Sequence, residues 1–328
     1  MKRTTARTRK QMKLVVTGAL GHIGSRLLQS VQPDQLQEVV IVDNFHTQRY
    51  CSLYNLPPEI NYRLVEADVT DPDFNLLPLL DENTIVVHLA AITNAPASFQ
   101  IQEEVERVNF RGTQSVAEAC LRASARLIFV STTSVYGVSD GVVTEECSDE
   151  ELKPQSPYAE SKLAAERSLQ KMGSERGLRF VTFRFGTIYG TSIDMRFHTA
   201  VNKFIWQACF GEPLTVWRTA LDQQRPYLDL TDAIRAIQHA LTQNLFDNRI
   251  YNVVTDNLTV RQITETIRRE IPDLEIRLVD SAIMNQLSYI VDRSRIESKG
   301  FTFRGSLSDA TRDTVTLFRP FAMRRGAQ

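Results

Sequence analysis

The chain has 328 residues, of which 42% are hydrophobic and 23% charged, and its formal net charge is -1. That composition supports a buried core of about two domains' size and excludes a chain that is disordered over most of its length. The near-zero charge gives no overall attraction to nucleic acid or an anionic membrane. No stretch approaches the ~20 apolar residues of a bilayer-spanning helix.

The first ten residues, MKRTTARTRK, are basic and lack an apolar segment, so they do not read as a secretory signal. Residues 1–12 are expected to be a disordered tail before a fold that begins at Lys13; Arg324 and Arg325 get the same reading. Cys51, Cys120, Cys147 and Cys209 form no CxxC pair, which suggests neither a disulfide framework nor a metal site and suits a reducing cytoplasm.

Residues 13–17 form a short apolar run, the mark of a buried parallel strand. Gly18, Gly21 and Gly24 follow at G-x-x-G-x-x-G spacing and open a helix over 25–30. Gly18 permits the tight turn, Gly21 lets the backbone approach a diphosphate, and Gly24 lets helix and strand pack closely. The helix N-terminus offers free N–H groups to the phosphates. A second strand, 38–42, ends in Asp43 and Asn44. An acid about 20 residues beyond the glycines accepts from ribose hydroxyls and repels a 2′-phosphate, so the expected cofactor is NAD rather than NADP. The nearest arginine is Arg49, and an ordinary loop acid is the plainer alternative for Asp43.

Further strands are expected at 62–67, 84–91 and 126–131, with a helix over 103–122 between the last two. The second of these strands ends in Leu89, Ala90 and Ala91, residues small enough to let a cofactor lie against the strand end. Alternating strands and helices argue for a parallel, doubly wound α/β sheet with ligands at its carboxyl edge. Ser156 and Pro157 suit the start of a helix, with Tyr158 and Lys162 one turn apart on one face. An ammonium or a positive nicotinamide beside a phenol favours the phenolate, which can take a proton from a sugar hydroxyl while hydride leaves. Ser131, Thr132 and Thr133 end the preceding strand and offer hydroxyls to the substrate.

Together these residues resemble the extended short-chain dehydrogenase/reductase family, in its sugar-nucleotide epimerase/dehydratase branch. The likeness runs from Lys13 to about Phe318. It includes Asp68-Val69, His88-Leu89-Ala90-Ala91, Asn109, the stretch from Arg184 to Gly190, the stretch from Arg225 to Asp232, and Val291-Asp292. The resemblance implies a Rossmann domain over 13–183 and a smaller α/β substrate-binding domain over 184–328, with residues about 225–246 returning to the first. It implies Thr132, Tyr158 and Lys162 as catalytic residues. The cofactor set it implies adds His22, Ile23, Asn109, Ser131 and Phe185 to the glycines, Asp43, Asn44, Leu89, Ala90 and Ala91. In that set Asp68 and Val69 meet the adenine, Lys162 bonds the nicotinamide ribose and Phe185 borders the nicotinamide. Thr133, Thr187, Asn202 and Arg225 would meet a sugar nucleotide. The family's arginine before the final Asp motif is missing from 280–289, and Arg196 or Arg277 would replace it. Relatives dimerise through two helices, here 103–123 and 158–171, so a homodimer is expected.

Dehydratases of this branch carry an Asp-Glu pair after the catalytic Thr, and decarboxylases a Glu at the second place. Here Thr133 and Ser134 stand there. That resembles a 4-epimerase working through a transient 4-keto sugar, with dehydratase, decarboxylase and reductase as alternatives. A non-catalytic NAD-sensing protein is the rival from another class, and the presence of Thr132, Tyr158 and Lys162 together speaks against it. Trp206 reads as core, and His198 as a packed or solvated imidazole.

Overall fold

The computed structural model describes residues 12–33, 36–137, 139, 141–280 and 288–321. Residues 1–11 of the expected tail, Arg324, Arg325 and most of the stretch missing the family's arginine lie outside the described residues, whereas Met12, expected in the tail, already belongs to the first strand, where it lies beside Leu36.

Uninterrupted β-branched runs become strands, and amphipathic stretches between them become helices. In chain order the first half comprises β1 (Met12–Thr17), α1 (His22–Ser30), β2 (Leu36–Asp43), β3 (Tyr62–Glu66), β4 (Thr84–His88), α2 (Ala95–Ser98) and α3 (Gln102–Val105). Then come a π-helical segment (Glu106–Arg111), α4 (Gly112–Ala123), β5 (Arg126–Thr132), β6 (Val142–Val143), α5 (Pro157–Arg176) and β7 (Arg179–Phe185). The second half holds β8 (Thr187–Tyr189), α6 (Ala200–Cys209), β9 (Leu214–Trp217), β10 (Gln224–Asp229), α7 (Leu230–Gln243), β11 (Ile250–Val253) and β12 (Asp256–Thr259). It ends with α8 (Val260–Glu270), β13 (Ile276–Val279), β14 (Ile290–Val291), α9 (Ser294–Glu297) and α10 (Leu307–Phe318).

Seven strands form one sheet in the order β11-β7-β5-β4-β1-β2-β3, with every neighbouring pair parallel. This is a Rossmann-type doubly wound α/β fold. Alternation along the strands feeds two separate cores. Leu14, Val16, Ile41, Val87 and Ile128 face α1 and α7, where Leu27, Leu28, Ile234 and Ile237 lie buried. Val15, Val40, Val86, Leu127 and Phe129 face α4 and α5, against Val116, Cys120, Ala165 and Leu169. Both faces are covered, as an all-parallel sheet requires.

A third core joins α6, β9, α8 and α10 through Phe204, Ile205, Leu214, Val216, Ile263, Ile267 and Val315. Trp206 packs with Phe210 and Phe318, at ring separations of 4.2 and 5.1 Å. The crossing back to the large sheet differs in its bounds from expectation. Arg225 lies on β10, which pairs with β8 and β12 in a separate three-stranded sheet. The return is made by α7, lying on α1, and by β11, which extends the sheet beside β7. The physical reason is that β10 is tied on both edges before α7 begins, at an N-cap where the Asp229 carboxylate accepts from Thr231 N.

The expected single helix over 103–122 is α3, the π segment and α4 in succession. No helix among the described residues is long and apolar enough to cross a membrane.

Candidate active site

The carboxyl ends of β1, β4, β5 and β7 lie in register, with Thr17 opposite His88 and Thr132 opposite Phe185. Gly18 has φ +65°, and a Cβ there would stand 2.5 Å from Ala90 N, so turn and strand end touch backbone to backbone. A Cβ on Gly24 would meet Ala19 O at 2.3 Å. The N-cap of α1 is Gly21, which supplies no side-chain bond, so the first N–H groups of the helix are left for an anion.

Asp43 ends β2 and accepts from Leu20 N and Phe45 N, both at 3.0 Å, so it also shapes the turn. Asn44 donates to Asp68. Burial works to raise the Asp68 carboxyl, but bonds from Thr70 and Asn44 with Arg107 nearby outweigh it and hold the group below its usual range. Val69 lies buried beside Asp68. The Ser131 hydroxyl is buried at the end of β5 and has no hydrogen-bond partner among the described residues. A bare helix N-terminus, an acid at the second strand and an orphan hydroxyl at the fifth fit a dinucleotide laid across these ends.

The α5 helix begins where Ser156 Oγ accepts from Ala159 N and Pro157 occupies the first turn, and it ends at Gly177 with φ +79°. This fixes Tyr158 and Lys162 on the face towards β5. The Thr132 hydroxyl bonds both the Tyr158 phenol and Ser134 Oγ, the latter at 3.1 Å. Lys162 is buried, donates to Val130 O at 2.9 Å and lies 4.8 Å from the centre of the Phe129 ring. Burial pushes its amine down to about 8, against the pull of Glu166.

The expectation that Lys162 lowers the phenol needs correcting. Enclosure raises Tyr158, opposed by the Thr132 bond and by Arg196, while the Lys162 amine is turned to a backbone carbonyl. Favouring the phenolate falls to Thr132, Arg196 and the positive ring of an oxidised cofactor.

Three other expected ligands are committed elsewhere. Asn109 accepts from Ile92 N and donates to Ile92 O and Ser161 Oγ, so it ties the β4 loop to α5. It is carried, buried, on the π segment, a rare helical form that is frequent at functional sites. Asn202 accepts from Gly190 N and donates to Arg196 O, folding residues 190–196 into a loop. Thr133 is buried and donates to Phe185 O. The hydroxyl beside Thr132 is therefore that of Ser134.

Thr187 lies half-buried on β8, opposite Tyr227. Arg225 stands two residues before Tyr227 on β10, opposite Leu258 of β12, and is close enough to act on the phenols of Tyr227 and Tyr289. Phe185 is buried at the end of β7, stacked on Phe183. His22 is buried with Nδ1 at 2.6 Å from Ser192 Oγ. His88 bridges Thr17 and Thr113, which joins β1, β4 and α4. Sequence reasoning missed Tyr289, which donates to Thr133 O, and Thr93, which accepts from Arg196. Neither belongs to a motif with a local signature.

The sequence model of the NAD dependent epimerase/dehydratase family matches residues 14–253. The chain belongs to that family. Within it, the chain is 31% identical over 239 residues to a protein of Bacillus subtilis described as an uncharacterized UDP-glucose epimerase, YtcB, covering 70% of this chain and 72% of that one. It is 30% identical over 329 residues to a trifunctional UDP-glucose 4,6-dehydratase/UDP-4-keto-6-deoxy-D-glucose 3,5-epimerase/UDP-4-keto-L-rhamnose-reductase of Arabidopsis thaliana. That match takes in 95% of this chain and 48% of the relative, so the chain spans about half the length of that protein. Among solved structures, MoeE5 in complex with UDP-glucuronic acid and NAD superposes with a TM-score of 0.80 at 27% identity, covering 94% of this chain and 99% of that one. Epimerases and dehydratases thus both stand among the relatives of this family member.

Proposed function

We propose that the protein is an NAD-dependent nucleotide-sugar 4-epimerase. The observation that carries this reading is the hydroxyl-only set beside Tyr158: Thr132 and Ser134, with Thr133 turned away to β7. Water elimination asks for a carboxylate acid and base at the two positions after Thr132, and neither is an Asp or Glu.

In the proposed reaction Thr132 and Ser134 hold the sugar O4 against Tyr158. The phenolate takes the O4 proton as the C4 hydride leaves, giving a 4-keto sugar. NAD supplies the hydride acceptor and, once reduced, the donor. The ketone then presents its other face, hydride returns to C4, and Tyr158 gives the proton back, so no net redox change remains. Lys162 would bond the nicotinamide ribose. Arg225 and Thr187 face the nucleotide half of the substrate, where an arginine fork matches phosphate oxygens. We also take the protein to be a homodimer through α4 and α5, and cytoplasmic on the strength of its four free cysteines.

A second reading, a 4,6-dehydratase, draws on the Arabidopsis thaliana relative. NMR of the purified protein with UDP-, dTDP-, GDP- and CDP-sugars, without added reductant, separates the two. Interconversion of C4 epimers is expected. A 4-keto-6-deoxy product would replace the first reading by the second, and an unchanged panel would refute both.

A further inference from the structure

The loop between β8 and α6 crosses the glycine turn, and it is tied down on the far side at three places. Asp194 pairs with Arg49, beyond β2, at 2.7 Å. Ser192 Oγ meets Nδ1 of His22, the first residue of α1, at 2.6 Å. Arg196 donates to Thr93 Oγ1, beyond β4, at 2.5 Å. Asn202 sets the loop's own shape by bonding Gly190 N and Arg196 O. The loop is anchored in the third core by Tyr189 at one end and Val201 at the other.

This course puts the Arg196 guanidinium over the turn. A Cβ on Gly21 would lie 3.5 Å from Arg196 Nη2. Among the described residues Arg196 has no carboxylate within ion-pair distance; the acid it acts on from further off, Asp194, is paired directly with Arg49. The imidazoles near it are held neutral. Burial, with Arg196 and His198 adding to it, pushes His22 down to about 3, and partial enclosure with Arg196 lowers His198. The His22 Nε2 is buried and has no hydrogen-bond partner among the described residues. A half-buried cation with no directly paired counter-ion among the described residues, beside an uncapped helix N-terminus, is an anion site that a ligand can fill.

We infer that Arg196 and the 190–199 strap clamp the cofactor's diphosphate, so Arg196 is a cofactor ligand rather than a substrate ligand. This rests on the NAD reading above. The sugar nucleotide's diphosphate is left to Arg225, on the separate β10 sheet. Because the strap is rooted in the third core, cofactor release requires all three ties to part. The cofactor then stays bound from one turnover to the next, which suits a reaction that returns its hydride to the substrate.

The test compares the full-length protein with R196Q, R196K and S192A. The readouts are NAD content after purification, NAD dissociation rate in a chase with fluorescent etheno-NAD, and UDP affinity by calorimetry. R196Q is expected to release NAD on the order of ten- to a hundredfold faster, the worth of a charge-assisted phosphate bond. R196K and S192A should fall between it and the parent, and UDP affinity should not move. R196K and S192A keep the proposal testable if R196Q does not fold. NAD release at the parental rate in all three variants overturns the assignment, and weakened UDP binding at that same rate would make Arg196 a substrate ligand. A parent protein that binds no NAD at all would instead overturn the cofactor reading beneath it.

Discussion

Replacing Arg184 by Met tests whether the charge buried behind the catalytic helix is held by a single partner. Arg184 and Glu166 form a forked pair with bonds of 3.0, 3.2 and 2.6 Å, at 3% and 1% side-chain exposure. Glu166 lies one helical turn beyond Lys162 on α5. Removing one partner of so enclosed a pair costs about 3–5 kcal/mol, because the remaining charge has no water to turn to. Arg184 also lies 4.8 Å from the centre of the Tyr136 ring, a contact worth a further ~0.5–2 kcal/mol. Against a total stability of roughly 5–15 kcal/mol, the loss is large.

Chemical denaturation followed by circular dichroism at pH 7 should show that loss. The double variant with Glu166→Met should recover most of the loss, since no charge is left to desolvate. A cost under ~1 kcal/mol at pH 7, or a double variant no more stable than the single, would refute the reasoning.

Other substitutions probe the turn, the base and the sheet. Gly18→Ala places a side chain at φ +65° and 2.5 Å from Ala90 N. The backbone conformation alone costs about 1–2 kcal/mol and the clash adds to it, so NAD titration should show severely weakened binding. Tyr158→Phe should cut turnover by about 10²–10⁴ while leaving NAD binding intact, and rapid epimerisation by that variant would remove Tyr158 from the base role. His88, fully buried, is pushed from 6.5 down to about 3 by burial and by Lys162. The unfolded chain binds this proton first, so the stability is present above about pH 6.5 and is lost as pH falls towards 3, at up to ~1.4 kcal/mol per pH unit. Denaturation across pH 4–7 should show that slope flattened in His88→Gln, and an unchanged slope would place the titration elsewhere.

The parallel, doubly wound sheet was legible because local signals agreed: β-branched runs, a glycine turn, and an acid at the second strand end. Tyr158 and Lys162 were legible for the same reason, one helical turn apart beside a capped start. Where family resemblance assigned polar residues by position, the outcome depended on partners far away in sequence. Asn109 and Asn202 stand at positions implying ligand contact, yet their amides are consumed by Ile92 and by the 190–196 loop. No periodicity records which way an amide turns. Arg196 shows the same limit: its number gives no hint of Thr93, which lies 103 positions away. The phenol at Tyr158 follows the rule too, since spacing showed Lys162 nearby but not that its amine would be engaged by Val130 O.

The outermost strand next to β7 is β11, a segment that the chain reaches only after building most of the second sheet and α7. During synthesis, β7 therefore leaves the ribosome with its outer edge open. About seventy further residues must follow before the strand that closes it exists, roughly 4–14 s at ordinary elongation rates of ~5–20 residues per second. Phe180, Phe183 and Phe185 make that edge strand apolar, and an open apolar edge is a template for pairing with another chain. A fragment ending near residue 190 would carry this vulnerability permanently, so the Rossmann half is not a unit that can be cut free and expected to stay in solution.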